Sequence, residues 1–300
     1  MKALILNYKK HRVLYWLCLP IMLYFLIFSY IPMGGLVMAF QNFKIAKGFL
    51  GSSFVGFDHF VKFFTSPYFS RVITNTLFLS GYDLLFAFPA PILLAFLLNE
   101  VKNQVLKKTV QTVTYMPYFI SMVVICSLIK SFTSSDGIIT LLVNSLGGNY
   151  NSLIAAPEAF RSIFIISNIW QSIGFNSIIY LAALSSVDQE LYEAARIDGA
   201  GYTRQWMHIT LPGILPTIII MLILRIGQIM NVNFEKVILL YSTSTYETAD
   251  VISSYVYRVG LLKSEYSYAT AVGLFNSVIG FALIIAANTL SKKYSETSLF

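Results

Sequence analysis

Residues 214–224 read ILPTIIIMLIL, a run in which only a proline and a threonine interrupt the large apolar side chains. A helix on the surface of a water-soluble bundle would carry a polar stripe at helical spacing. A strand of a membrane β-barrel would alternate polar and apolar residues. This run shows neither pattern, and residues 279–287 repeat its character. Such runs are typical of helices that are surrounded by apolar groups on all sides, as in a membrane.

The composition agrees with a membrane protein. Of the 300 residues, 56% are hydrophobic and only 12% are charged, whereas a water-soluble domain carries about 25% charged residues. The formal net charge is +7, but the basic residues are scattered and lie largely outside the apolar runs. This placement is typical of cytoplasmic loops, which collect Lys and Arg. We therefore expect membrane lipid around the protein and no nucleic acid as a partner.

Six stretches are long and apolar enough to cross a membrane, which takes about 20 helical residues. The expected spans are residues 13–38, 72–98, 109–131, 161–186, 213–235 and 267–290. The first follows basic residues, as in a signal peptide, but it is longer than a cleaved apolar core and no A-x-A site follows it. We expect it to be retained. The sequence thus predicts an all-α, polytopic membrane protein.

An even number of spans places both termini on the same side of the membrane. The loops 99–108 and 187–212 lie on that side, and together with the tails they carry 11 of the 21 Lys and Arg residues. The positive-inside rule then predicts that both termini are cytoplasmic. The expected organisation is a tail at 1–12, a transmembrane domain at 13–291 and a tail at 292–300.

The loop between the fourth and fifth spans has a local pattern of its own. Ser186 with Gln189 predicts a capped helix start, and Gly199 predicts a left-handed C-terminal cap. Thr203 is placed to begin a second short helix, and Pro212 marks the entry into the fifth span, since proline is tolerated in a first helical turn. The sequence predicts a helix–glycine–helix motif that projects between the two spans.

This loop resembles the EAA loop of ABC-importer permeases, whose pattern is EAA, three residues, Gly, nine residues, Ile, one residue and Leu-Pro. The positions that match, with every spacing kept, are Glu193, Ala194, Ala195, Gly199, Ile209, Leu211 and Pro212. The resemblance extends over nearly the whole chain to the carbohydrate (MalF-like) branch, and within it to LplB-type oligosaccharide permeases. Motifs that carry it are NEV at 99–101, YMP at 115–117, LRIG at 224–227 and YVYRVGL at 255–261.

The resemblance implies a type I ABC importer fold of the MetI/MalF-like kind in a bacterial plasma membrane. It also implies a second, different permease subunit, two ATP-binding subunits, an extracellular solute-binding lipoprotein and an oligosaccharide carried by ATP-driven alternating access. The sequence has no Gly-Lys dipeptide and so no phosphate-binding loop. We therefore expect no enzymatic activity, catalytic residue, metal or cofactor in this chain, with ATP and Mg on the partner ATPase. The residues implied to couple to that ATPase are Glu193, Ala194, Ala195, Asp198, Gly199, Ile209, Leu211 and Pro212.

Polar and aromatic residues inside the spans are candidates for a sugar pathway. Some of them could instead hold helices together, as polar residues in membranes often do. The candidates are Trp170, Asn176, Arg225, Gln228, Asn231, Asn233 and Asn276, with Asn168, Gln171 and Tyr180 as further members of the set.

Asp83 and Arg225 each fall near the middle of a predicted span. An unpaired charge there costs at least about 2.5–3.5 kcal/mol, so each needs a partner or water. The two residues could form an ion pair with each other, or Arg225 could face the cavity and meet an acidic sugar. Another partner or a wet crevice is the remaining alternative. Asp83 also departs from the family pattern, in which a neutral or basic residue is expected.

Three other functions are compatible with six spans. An ion-coupled secondary transporter would usually show internal repeats and intramembrane carboxylates, but this chain has one clear carboxylate and no evident repeat. A membrane scaffold would not need polar residues along spans four to six. An ABC permease for a non-sugar solute is opposed only by the extended resemblance.

Overall fold

A computed structural model describes residues 2–295, with side chains from 11 to 293. Met1 and residues 296–300, which belong to the predicted tails, lie outside the described residues. The chain divides into two compact units, Met1–Thr65 with Val256–Phe275, and Ser66–Tyr255 with Asn276–Phe300. Each unit is almost entirely helical.

Within the described residues, six helical segments confirm the predicted number of spans and the all-α class. Each is long and apolar enough to cross a bilayer. Spans 1 to 6 are His11–Phe40, Phe69–Glu100, Met122–Ser145, Pro157–Ser185, Tyr202–Gly227 and Tyr266–Lys293.

The first unit combines span 1 with a small hairpin and short helices. Strands Gln41–Asn42 and Ser53–Phe54 pair antiparallel. Phe63 is buried, and its ring packs edge-on against the ring of Phe275 with centroids 5.5 Å apart. The Lys62 Nζ forms an ion pair with the Glu265 Oε2 at 3.1 Å. Its helical segments are Lys2–Phe25, Leu26–Tyr30, Ile31–Met33, Gly34–Phe40, Gly48–Gly51, Asp58–Phe64 and Arg258–Leu262.

The second unit contains spans 2 to 5. Its helical segments are Phe69–Tyr82, Asp83–Ala87, Pro89–Glu100, Gln104–Tyr115, Met116–Phe119, Met122–Thr133, Ile138–Ser145, Leu153–Ala155, Pro157–Ser185, Gln189–Ile197, Tyr202–Gln205, Trp206–Thr210, Leu211–Gly227, Phe234–Leu240, Thr243–Thr245 and Tyr246–Ala249. The helices Ile252–Tyr257 and Tyr266–Ser295 each pass from one unit into the other.

Two of the predicted span boundaries are wrong. The sequence places the third span at 109–131, but the helix Gln104–Tyr115 gives way to a 3₁₀ turn and the next α-helix begins at Met122. Pro117, inside that turn, has no N–H to continue an α-helix. The sequence also places the fifth span at 213–235, whereas the helix runs from Tyr202 to Gly227.

Three of the spans contain a π-helical turn just before a proline. The turns are Leu26–Tyr30, Asp83–Ala87 and Trp206–Thr210, and a proline stands two residues after each, at 32, 89 and 212. Proline in a regular helix lacks an N–H and its ring collides with the carbonyl four residues earlier. A π turn bonds the residue before the proline to the fifth residue back, as Phe88 N–H does to the Asp83 carbonyl at 3.0 Å. This wider turn accommodates each proline inside a continuous span.

Span 4 packs closely on the helix that precedes span 3. Gly174 lies against the backbone of Thr114 and Tyr115, and a Cβ added at Gly174 would collide with the Thr114 carbonyl and stand 2.8 Å from the Tyr115 nitrogen. One turn away, the rings of Tyr118 and Phe175 stack with centroids 3.9 Å apart. Small residues at such crossings let two backbones approach in a membrane.

Gly174→Ala is therefore expected to destabilise the protein. The added methyl group meets backbone rather than a flexible side chain, so we expect a loss of about 1–3 kcal/mol in unfolding free energy. The matched control is Gly81→Ala in span 2, where nothing lies within 4 Å of the added Cβ. Thermal unfolding in detergent measures both variants, and equal unfolding temperatures for them would contradict the close packing at Gly174.

Candidate substrate cavity and coupling loop

A polar cavity of about 370 Å³ opens between spans 2, 4 and 5. Asp83 lies near the middle of span 2, so the cavity is at mid-depth of that span. Span 4 contributes one polar face, since Asn168, Ser172 and Asn176 follow each other at intervals of one helical turn. The lining residues are Leu79, Ser80, Asp83, Leu84, Tyr118, Phe164, Asn168, Ser172, Asn176, Arg225, Gln228, Ile229, Asn231, Val232 and Asn233.

Asp83 and Arg225 meet in this cavity. Arg225 Nε donates to Asp83 Oδ2 at 2.7 Å, and Arg225 Nη2 donates to the same oxygen. The other carboxylate oxygen, Oδ1, accepts from Asn168 Nδ2 at 2.6 Å. Asp83 is largely buried, whereas 41% of the Arg225 side chain is exposed. The pair joins spans 2 and 5, and Asn168 adds span 4.

The segment after span 5 has an irregular backbone where it lines the cavity. The helix ends at Gly227, and Ser80 in span 2 donates its hydroxyl proton to the Ile229 carbonyl. Asn233 caps the next helix by accepting from the Lys236 N–H at 3.3 Å. Asparagine side chains bond readily to nearby backbone groups and so compete with helix continuation. Irregular backbone at membrane depth occurs only where protein or a wet cavity surrounds it.

The structure brings most of the predicted pathway residues together. Asn176, Arg225, Gln228, Asn231 and Asn233 all line the cavity. Asn276 is buried behind it, where its Nδ2 donates to Asn231 Oδ1 at 2.9 Å.

Trp170 lies elsewhere. It borders a separate, almost wholly apolar groove between spans 3 and 4, together with Leu128 and Phe132. Of the further candidates, Gln171 and Tyr180 are buried on span 4 and do not line the cavity.

The sequence prediction missed three polar side chains of the cavity wall, Ser80, Ser172 and Tyr118. Ser172 was detectable, because it falls four residues from both Asn168 and Asn176 on one helix face. Tyr118 was not detectable from the sequence. It lies in a 3₁₀ turn that interrupts the predicted third span, and the sequence pattern did not indicate this interruption.

Lys236 is a second cation close to the cavity, although it does not line it. Its side chain is fully buried, and its ammonium lies 5.3 Å from the centre of the Phe164 ring. Within the described part of the chain, no acceptor bonds to its Nζ. Burial lowers the pKa of the Lys236 ammonium to about 8.

The coupling loop, residues 187–212, begins with a helix at Gln189–Ile197. The predicted start at Ser186 is wrong. Asp188 is the N-cap and accepts from the Glu190 N–H at 3.0 Å, whereas the Ser186 hydroxyl bonds back to Ala183 of span 4. A carboxylate caps a helix as well as a hydroxyl does and also favours the positive end of the helix dipole.

The end of this helix confirms the predicted glycine cap. Gly199 has φ +73°, a conformation that is strained for residues with a Cβ. Its N–H bonds to the Arg196 carbonyl at 3.1 Å, and the Ala200 N–H bonds to the Ala195 carbonyl at 2.8 Å. These two bonds form a Schellman motif, which satisfies the last carbonyls of the helix.

The second half of the loop differs from the prediction. The helix begins at Tyr202, not at Thr203, and it continues into span 5 through the π turn that precedes Pro212. Hydrogen bonds hold it to the first half: Tyr192 donates to Thr210 at 3.0 Å, and Gln205 Nε2 donates to the Ala200 carbonyl at 2.7 Å. The second half of the loop is therefore an extension of span 5 that is hydrogen-bonded to the first half.

The loop has one packed face and one open face. Ile209 and Trp206 pack on a core cluster that includes Phe96 and Leu184, and Trp206 Nε1 donates to Glu100 at 3.1 Å. The predicted coupling residues Glu193, Ala194, Asp198, Gly199, Leu211 and Pro212 are exposed, and Ala195 and Ile209 are half-buried. Ile197, at 87% exposure, is among the most exposed apolar side chains of the second unit.

Gly199→Ala is expected to loosen the coupling loop. Alanine in the left-handed region costs about 1–2 kcal/mol, so local opening of the loop increases about 5–30-fold. The rate of trypsin cleavage at the exposed Arg196 measures this opening. Gly201→Ala is the matched control, since Gly201 has φ −69° and nothing within 4 Å of an added Cβ. Similar cleavage rates for the two variants would argue against the cap.

Six apolar helices, of which spans 2, 4 and 5 line a polar cavity, and an exposed helical loop continuous with span 5 are the features of a membrane permease component. The chain belongs to the family described as binding-protein-dependent transport system inner membrane component, whose model matches residues 87–296. It is a permease subunit of the ABC-importer class, a multi-pass protein of the bacterial plasma membrane, and not an enzyme.

Relatives and solved structures resemble the chain over nearly its whole length. Protein LplB of Bacillus subtilis (strain 168) is 47% identical over 97% of this chain and 92% of its own. The polygalacturonan/rhamnogalacturonan transport system permease protein YteP of the same organism is 43% identical over 100% of this chain and 94% of its own. A crystal structure of a bacterial ABC transporter involved in the import of the acidic polysaccharide alginate has a chain that is 46% identical, with a TM-score of 0.90 over 98% of this chain and 99% of that chain. The predicted family and its LplB-like branch are confirmed.

Proposed function

We propose that this chain forms half of the translocation pathway for an oligosaccharide. The observation that carries the proposal is the polar cavity at mid-depth of span 2. Its wall presents the side-chain amides of Asn168, Asn176, Gln228, Asn231 and Asn233. An amide both donates and accepts hydrogen bonds, as does a sugar hydroxyl. The volume of about 370 Å³ falls within the usual range of about 300–1,000 Å³ for small-molecule sites.

The relatives support a sugar as the substrate. One of them is named for polygalacturonan and rhamnogalacturonan transport, and the solved importer carries alginate. A relative at 28% identity is named for arabinooligosaccharides.

The coupling loop is proposed to dock on an ATP-binding subunit in the cytoplasm. Its exposed face combines apolar Ile197 and Leu191 with the carboxylates of Glu193 and Asp198, which suits a cleft with basic or backbone donors. The cationic residues of this loop and of loop 99–108 support a cytoplasmic position for both loops and both termini. Two such subunits would carry the ATP and Mg, and this chain would carry no cofactor.

The proposed importer contains a second, different permease subunit and an extracellular solute-binding lipoprotein. The lipoprotein is supported by a solved alginate importer described in complex with an alginate-pentasaccharide-bound periplasmic protein, a chain of which is 45% identical to this one. In the proposed cycle, ATP closes the ATPase pair, the coupling loops move with it, and the paired bundles open outward to receive sugar. Hydrolysis returns the cavity to the cytoplasmic side.

Uptake by proteoliposomes that contain the complete importer tests the function. We expect ATP-dependent accumulation of oligosaccharide without any ion gradient, because the driving step is on the ATPase. Ionophores that abolish proton and sodium gradients are the control. Uptake that requires such a gradient, or no uptake of any oligosaccharide, would contradict the proposal.

Gly199→Asp is expected to leave the complex assembled but to uncouple ATP hydrolysis from substrate. Nothing lies within 4 Å of a Cβ at this position, so the side chain fits the isolated loop and acts at the docking surface. Asn and Asp both tolerate the left-handed conformation, so Gly199→Asn separates side-chain size from charge. Substrate-stimulated hydrolysis at the wild-type rate in Gly199→Asp would show that this face does not dock.

The cavity wall and the apolar groove are expected to respond differently to substitution. Asn176→Leu removes a hydrogen-bonding group of similar size from the cavity, which should raise the half-saturating sugar concentration about 2–10-fold. Trp170→Leu changes only the groove between spans 3 and 4 and should leave transport nearly unchanged. The opposite order of effects, measured in the same uptake assay, would place the pathway in the groove.

A further inference from the structure

Asp83 accepts hydrogen bonds from only some of the N–H donors of Arg225. A guanidinium has five N–H donors, which form a side edge (Nε and Nη2) and an end edge (Nη1 and Nη2). Asp83 takes the side edge, and with only one of its oxygens. Within the described residues no acceptor bonds to Nη1, 41% of the side chain is exposed, and Arg225 lines the cavity. Either edge of a guanidinium can bind a carboxylate bidentately, and the end edge is the one that Asp83 does not occupy.

Asp83 cannot easily swing onto that open edge. Its second oxygen is held by Asn168 at 2.6 Å, and only 13% of its side chain is exposed. Asn168 therefore fixes the carboxylate on the side edge of Arg225. This arrangement leaves a cation at the cavity wall with one edge bonded to the protein and the other edge without an acceptor among the described residues.

We propose that Arg225 is a carboxylate subsite, and that the oligosaccharide carried by this chain includes an acidic (uronic acid) unit. The inference rests on the proposed function and specifies its substrate class. The sugar carboxylate binds the end edge of Arg225 while Asp83 stays on the side edge. The neighbouring amides of Asn176, Gln228 and Asn231 bond to the hydroxyl groups of the same unit.

Asp83 limits the strength of this subsite and makes it selective. It neutralises Arg225 when the cavity is empty, so the unpaired charge that a membrane penalises is avoided. It also repels an incoming carboxylate, which offsets part of the attraction of Arg225. A small anion gains only this reduced attraction, whereas an acidic sugar adds bonds from its hydroxyl groups. Binding is then weak enough for release, as transport requires.

The decisive variant is the double substitution Asp83→Asn with Arg225→Gln. It replaces the ion pair by a neutral pair of similar size that can still hydrogen-bond. If the pair only holds spans 2 and 5 together, the double variant keeps the sugar preference of the wild type. If Arg225 is a subsite, the double variant loses affinity for the acidic sugar alone. Lys236→Met is the matched control, since it removes a buried cation that does not line the cavity.

Equilibrium binding of trigalacturonate and of its carboxyl-reduced, neutral counterpart is measured on the detergent-solubilised complex of permease and ATPase subunits, without the binding protein. We expect the wild type and Lys236→Met to prefer the acidic trisaccharide. The double variant should lose affinity for it on the order of tenfold or more, the range of a charged hydrogen-bonded contact. Its affinity for the neutral trisaccharide, which has no carboxylate for Arg225, should change by a much smaller factor. Asp83→Asn alone should bind the acidic sugar more tightly than the wild type.

Equal affinity of the wild type for both sugars, no binding of either, or a preference retained in the double variant would overturn the inference. The uptake assay separates this result from the proposed function. An importer that carries neutral oligosaccharides but shows no carboxylate preference keeps the function and loses the subsite. An importer that carries no oligosaccharide at all loses both.

Discussion

Backbone N–H and C=O groups cannot remain unpaired in hydrocarbon, and this constraint shapes the second unit. Proline removes one such donor, yet Pro89 lies within span 2. The π turn before it bonds the Phe88 N–H to the Asp83 carbonyl. Where the helix of span 5 does end, after Gly227, the irregular backbone meets a hydroxyl of span 2 and the polar cavity instead of lipid. The cavity therefore forms where regular helix stops.

Charged groups are under a similar constraint in hydrocarbon, and the ion pair of Asp83 and Arg225 satisfies it. Each charge is stabilised by the other, and Asn168 fixes the orientation of the carboxylate. The three residues tie spans 2, 4 and 5 together at the cavity wall. Asp83 is also the first residue of the π turn in span 2, six residues before Pro89. Such π turns are frequent at functional sites.

Span 5 connects the two functional regions. It is continuous from Tyr202 in the coupling loop to Gly227 beside the cavity, and its 26 residues extend about 39 Å at about 1.5 Å per residue. The loop at one end carries the exposed face, and Arg225 stands in the last turn at the other end. One helix therefore joins the loop to the residue that we propose binds the sugar.

The sequence by itself determined the class of fold, the number of spans, the coupling loop with its glycine cap, and most of the polar residues of the cavity. Each of these depends on local chemistry: apolar runs of sufficient length, one residue able to take φ +73°, or polar side chains in apolar helices. Only the tertiary structure decided that span 5 begins at Tyr202, that Asp83 contacts Arg225, and that Trp170 faces an apolar groove while Asn276 stands behind Asn231. Those outcomes depend on how helices that are distant in sequence pack against each other. Helical periodicity shows which residues of one helix lie on the same face, but it does not show which other helix that face contacts.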